Sequence, residues 1–250
     1  MTLRRRLLVS TVGLLSFSVM SIVIAAPAQA VSINLPDLTR GEGPTSAIVL
    51  LLSLTVLAVA PAILLMTTSF TKIIVVLSIT RNALGLQGVP PNQVLTGLAI
   101  FLSFFVMAPV LGVMNTDALQ PYLDGSLDFG QAFELARVPL EQFMLANTSP
   151  EELALMVKIS NETPPATPAD VSLTTLVPAF ILSELRAAFI IGFVVFLPFL
   201  IIDMVVSSGL MSVGMIMLPP VLVSLPFKLL LFVLVDGWAL IVTSLVNSYA

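Results

Sequence analysis

The 250-residue chain has no cysteine and no histidine, and only one tryptophan and two tyrosines. Without thiol or imidazole it has no disulfide, no Cys or His metal site, no thiol nucleophile and no imidazole base. Charge is scarce as well: Asp, Glu, Lys and Arg make up 10% of the residues, against about 25% in an ordinary soluble domain. No Gly-Lys-Ser/Thr phosphate loop and no Gly-x-Ser-x-Gly elbow occurs, which removes the usual supports for nucleotide hydrolysis and serine hydrolysis. Acidic residues outnumber basic ones by 14 to 10, so no nucleic-acid partner is expected. The residues thus point away from an enzyme, with no cofactor and no bound metal expected.

What the chain has in abundance is apolar surface. Hydrophobic residues make up 58% of it and the mean hydropathy is +1.10, the signature of a membrane-class protein. Residues 1–30 read as a cleavable signal peptide: Arg4-Arg5-Arg6, an apolar run from Leu7 to Ala26, and an Ala28-Gln29-Ala30 cleavage site that leaves Val31 at the mature N-terminus. A short polar lead, residues 31–46, follows. Residues 47–114 read as a first helical hairpin. It has an apolar run from Ala47 to Met66 kinked at Pro61, a helical stretch from Phe70 to Leu84, a Gly/Pro turn at Gly85–Pro91, and a second run from Val94 to Met114.

Composition changes at Asn115. Residues 115–170 carry nine acids against Arg137 and Lys158, and read as a small soluble helical insertion ending in a proline-rich linker. Phe129, Phe133, Ala136, Leu140 and Phe143 recur at helical spacing, and Ser149-Pro150-Glu151-Glu152 has the form of a capping box. The charge bias puts this insertion outside the cytoplasm, while Lys72 and Arg81 assign the loop of the first hairpin to the inside.

Residues 171–250 read as a second hairpin with two long runs, Leu176–Ile202 and Val221–Val246, interrupted by prolines and glycines and joined by a Met-rich turn. Both exceed the ~20 residues needed to cross a bilayer. Yet Glu184, Arg186, Asp203, Lys228 and Asp236 lie in or beside them, and each ionisable group costs roughly 2.5–3.5 kcal/mol at the centre of an inserted helix. Glu184 and Arg186, two apart, point about 200° from each other on a helix and cannot pair. Their expected partners are Lys228 and Asp236, or the same residues of a neighbouring copy, in an ion-pair network that fixes subunit register; a proton or ion relay is the alternative. Run ends suffice to explain Asp203 and Asp236. The fold expected is an all-α membrane-class protein: two long helical hairpins with broken helices and a small helical insertion on the periplasmic side.

The SELRAAF, PFLIID, LMSVGM, LPFK and VDGW blocks of the last third, and the stretch from Thr68 to Val110, resemble the FliP family of export-gate subunits in flagellar and related type III secretion systems. The resemblance implies a bacterial inner-membrane protein of the flagellar basal body, standing largely on the periplasmic side. It implies a homo-oligomer of five copies that joins FliQ-like and FliR-like subunits to line a conduit for unfolded flagellar proteins, with FlhB-like and FlhA-like neighbours. It also implies a pore-gasket role for Met211, Met215 and Met217, although Val213 and Ile216 depart from the family's more continuous methionine loop. An ion or solute transporter with discontinuous helices is the alternative reading; against it, the two hairpins show no convincing internal repeat.

Overall fold

The computed structural model describes residues 44–86, 88–160, 167, 170–215 and 217–249. Ala28, Ala30 and Val31, with the rest of the expected signal peptide, lie outside them, as do most of the proline-rich linker and Ile216. Among the described residues there are helices and no strands.

The chain divides into two units after Thr55. In the first, residues 1–55, the described part is helical and exposes Ile48, Val49, Leu51, Leu52 and Leu54. These residues belong to α1 (Pro44–Met66), which passes through Pro61 without a break. Among its described side chains every large apolar one, from Ile48 to Met66, is exposed, as in a helix whose natural surroundings are lipid or other protein.

In the second unit the chain bends by 66° between α1 and α2 (Phe70–Ala83). The sequence suggested a kink at Pro61; the bend instead falls at Thr67–Ser69. There Thr67 and Thr68 hydroxyls bond back to the Leu64 and Leu65 carbonyls, and the Ser69 and Ser103 hydroxyls bond to each other at 3.1 Å. Helix α2 buries Ile73, Val76, Leu77, Thr80 and Ala83 along one helical stripe and packs against α6 and α3. The antiparallel arm facing α3 is therefore α2, not the Ala47–Met66 run.

Helix α3 (Asn92–Met114) does not end where the composition changes at Asn115. It runs on through a π-helical turn, Asn115–Leu119, and a last α turn, Gln120–Leu123, as a 32-residue rod. The acidic segment then folds into α4 (Phe129–Ala146) and α5 (Pro150–Ser160). Asp128 and Gln131 close a reciprocal capping box at the start of α4. In α4 the buried residues are Ala132, Pro139 and Met144; Met144 and Leu140 pack with Leu176 and Phe180 of α6, whereas Phe129 and Phe133 stay exposed.

Helix α6 (Leu173–Ser212) runs 40 residues without interruption, through Pro178 and Pro198. The expectation of a repeatedly broken first arm is corrected here: the ring of a mid-helix proline removes one hydrogen bond, and packing on α2, α5 and α7 carries α6 through. The second arm is the broken one. It consists of α7 (Pro220–Leu234) and α8 (Gly237–Asn247), which meet at 62° across Val235–Asp236. Two helices, the α3 rod and α6, are each long and apolar enough to cross a membrane, and the bent pairs α1/α2 and α7/α8 raise the number to four if each counts as one span.

Candidate functional site

Three sets of charges that pair between helices, and one turn, make up the candidate site. Lys72 of α2 is buried, and its Nζ lies 2.9 Å from Glu184 Oε1 on α6. The Tyr249 hydroxyl donates to the other carboxylate oxygen of Glu184, and the Tyr249 ring lies under the ammonium at 3.7 Å from its centroid. Ser248 Oγ accepts from Lys72 at 3.4 Å. Both ions are thus paired and further hydrogen-bonded, the condition under which a buried pair persists.

The second set lies at the other end of α2. Lys228 of α7, 2% exposed, donates to Asp203 Oδ2 of α6 at 2.5 Å and to the Ala83 carbonyl at 3.2 Å. Ser224 Oγ donates to Asp203 Oδ1 at 2.5 Å. One point thereby joins the last turn of α2, the late part of α6 and the early part of α7.

The third set is on the surface. Arg186 of α6 reaches both Glu151 and Glu152 at the start of α5, the Glu152 contact at 2.9 Å. The nearby guanidinium holds the Glu151 carboxyl below its usual range, chiefly by hydrogen bonding and then by charge. The Ser149 backbone N–H also donates to Ser183 Oγ at 2.9 Å, so the start of α5 is tied to α6 by two independent contacts.

The expected single network of Glu184, Arg186, Asp203, Lys228 and Asp236 is therefore corrected. Glu184 pairs with Lys72 across the two hairpins, not with Lys228. Asp203 and Lys228 pair with each other. Asp236 is exposed, has a left-handed backbone with φ of 50°, and joins no ion pair among the described residues. The physical reason lies in tertiary packing: α6 lies along α2 for much of its length, which brings a cation from the first hairpin to a carboxylate of the second. Sequence reasoning missed Lys72 and Tyr249. Their signals were present in a lysine inside the apolar FTKIIVVL stretch and in one of only two tyrosines in the chain. It also follows that Lys72, being buried and paired, says nothing about orientation; of the two cations used for that purpose, Arg81 alone sits at the hairpin turn, bonded to Pro90 O and Asn92 Oδ1.

The methionine turn straddles the end of α6. Helix α6 ends at Ser212, and Gly214, with φ of 79°, takes the left-handed closing position. The Gly214 N–H bonds to Met211 O and the Met215 N–H to Leu210 O, the paired pattern of a Schellman motif. Met211 is in the last helical turn, while Met215 and Met217 are outside the helix, so Met211 and Met215 do not share a helix face. All three are exposed, Met217 almost completely at 99%. Among the described residues no cluster of metal-ligating side chains occurs.

With this arrangement in place, likeness to known proteins decides the family. Residues 53–245 match the FliP family. The chain belongs to it. It is 52% identical over 217 residues to the flagellar biosynthetic protein FliP of Bacillus subtilis (strain 168), covering 87% of this chain and 98% of that one. It is 48% identical over 249 residues to the protein of the same name from Caulobacter vibrioides, covering 99% and 92%. With the FliP protein of Aquifex aeolicus it shares 45% identity over 216 residues, covering 85% and 90%. The FliP match takes in both buried ion pairs apart from Tyr249 and Ser248, and the whole methionine turn. As a FliP family member with two long apolar helices and two bent apolar pairs, the chain is a membrane-embedded flagellar protein.

Proposed function

We propose that this chain is a channel-lining core subunit of the flagellar protein-export gate in the bacterial inner membrane. The observation that carries this reading is the family match across residues 53–245, shared with relatives named for flagellar biosynthesis. The physical character of the fold agrees with it. Helices α1, α3, α6 and α7 expose residues such as Leu57, Phe105, Phe193 and Val233, far more apolar surface than a water-soluble monomer displays. Other copies, sister subunits and lipid are its coverings. In this reading several copies, five by family resemblance, join FliQ-like and FliR-like subunits, with FlhB-like and FlhA-like proteins adjacent and the acidic segment on the periplasmic side. Unfolded flagellar proteins are the cargo. The family match leaves the solute-transporter alternative without support.

Met211, Met215 and Met217 are the gasket of this conduit. Methionine is unbranched and deformable, so side chains from several copies can close a pore to ions and still yield to a passing polypeptide. Their exposure at one turn suits that role, and Gly214 makes the turn possible because its positive φ strains any residue with a Cβ. The test is expression in a flagellated bacterium deprived of its own FliP-family protein. The parent chain is expected to restore secretion of flagellar proteins, and failure to join the export complex would sink the subunit assignment. The triple Met211→Ala, Met215→Ala, Met217→Ala variant is expected to assemble but leak small solutes; a tight triple variant overturns the gasket.

A further inference from the structure

Tyr249 touches three helical elements at once. Its hydroxyl donates to Glu184 on α6 and lies 3.3 Å from the Ser69 carbonyl at the head of α2. Its ring receives the Lys72 ammonium of α2 at 3.7 Å. The same ring stacks on Phe143 of α4, with centroids 5.8 Å apart and planes 21° apart. Phe143 in turn meets Phe180 of α6 edge-on at 5.9 Å. Tyr249 itself lies two residues past the end of α8, after Ser248. Tyrosine fits this place because its π face takes a cation and a stacked ring, while its hydroxyl gives a carboxylate one more hydrogen bond.

The position matters because the apolar packing is divided. One cluster, around Ile73, Val76, Leu77 and Leu245, holds the apolar helices together. Another, around Met144, Leu176 and Phe180, holds the acidic segment on the start of α6. Tyr249 stands where these two meet, with Phe143 on one side and Lys72 and Ser69 on the other.

We propose that Tyr249 is a clasp that fixes the acidic segment to the membrane helices, so that its removal loosens the end of α4 while the core of α2 stays formed. The inference rests on contacts within one chain and is independent of the export reading. The test is hydrogen exchange, read by mass spectrometry, on the full chain in detergent. Tyr249→Ala is expected to speed exchange at residues 143–147 by about tenfold, the signature of local opening, with Ile73–Leu77 unchanged. Tyr249→Phe, which keeps both ring contacts, is expected to stay close to the parent in this segment. Unchanged exchange at residues 143–147 in Tyr249→Ala overturns the clasp. So does an equal rise at Ile73–Leu77, which makes Tyr249 an ordinary core residue, and so does a Tyr249→Phe variant as open as Tyr249→Ala.

Discussion

Lys72 Nζ lies 2.9 Å from Glu184 Oε1, with both side chains almost completely shut off from solvent. This pair is one of the places where the first and second hairpins are joined, and its energetics are asymmetric. Removing one partner leaves a buried, uncompensated charge at a cost of about 3–5 kcal/mol, whereas replacing both with uncharged groups of similar volume is close to neutral. Glu184→Gln is therefore expected to lower the thermal stability of the purified chain markedly, and Lys72→Met combined with Glu184→Gln to recover most of the loss. A double variant as unstable as Glu184→Gln alone would show that the charge is not what matters.

The second pair is unequal in its exposure. Lys228 is buried, but the Asp203 side chain is 30% exposed and also receives the Ser224 hydroxyl. Asp203→Asn strands a buried ammonium; Lys228→Met strands a carboxylate that water can reach. The expected outcome is that Asp203→Asn destabilises the chain more than Lys228→Met, measured by thermal unfolding in the same detergent. The opposite order would mean that Asp203 is less solvated than its exposure implies.

Arg186 and Glu151 form a solvent-exposed pair, so its loss in Arg186→Ala is expected to have little effect on global stability. Its pH dependence has a definite sign. Because the folded-state pKa of Glu151 is lowered by Arg186, the contribution is present above the usual carboxylate pKa, about 4.3, and is lost as pH falls through the folded value. The protection of α5 amides, taken relative to the intrinsic exchange rate at each pH, is expected to fall on acidification below the ordinary carboxylate range in the parent, and to show a smaller change in Arg186→Ala. Identical acid profiles would disprove a role for the pair in docking α5.

At Gly192, an added Cβ would come within 2.5 Å of Ile79 Cδ1 and 3.0 Å of Cγ2. This is the close crossing of α2 and α6. Gly192→Ala is expected to cost about 1–3 kcal/mol through overpacking, and Ile79→Ala in the same chain to restore part of it. An additive double variant would remove the crossing as the cause.

Asp236 separates structural from electrostatic need. Its backbone is left-handed, and a residue with a Cβ is strained there by roughly 1–2 kcal/mol, while glycine is not. Asp236→Gly is expected to leave stability equal or improved. A clear loss of stability would return Asp236 to the charge network.

Much of the architecture was legible from local patterns. The Gly/Pro turn after Leu84, the start of α5 and the apolar runs follow from turn chemistry, capping and hydropathy, which act over a few residues. Other boundaries were not legible, because tertiary contacts override local signals. Asn115 changes the composition without ending α3, since a π turn carries the axis onward. Pro178 and Pro198 do not break α6, because a packed helix tolerates the loss of single hydrogen bonds. Gly214 ends α6 ahead of Met215 by a Schellman motif, even though the prolines that signal a stop come later.

The sequence by itself determined that this protein is apolar, helical, devoid of thiol and imidazole chemistry, and a member of one recognisable family, because those properties are sums over local composition and ordered motifs. It also singled out Glu184 and Lys228 as charges too costly to leave unpaired in an apolar setting, though it passed over Lys72 and included the exposed Asp236. It could not say which cation meets which carboxylate. Lys72 reaches Glu184, and Tyr249 joins them, only because α6 lies along α2 and the turn after α8 returns to the head of α2. Pairing energy falls steeply with distance and with exposure to water, and both are settled by how distant helices pack.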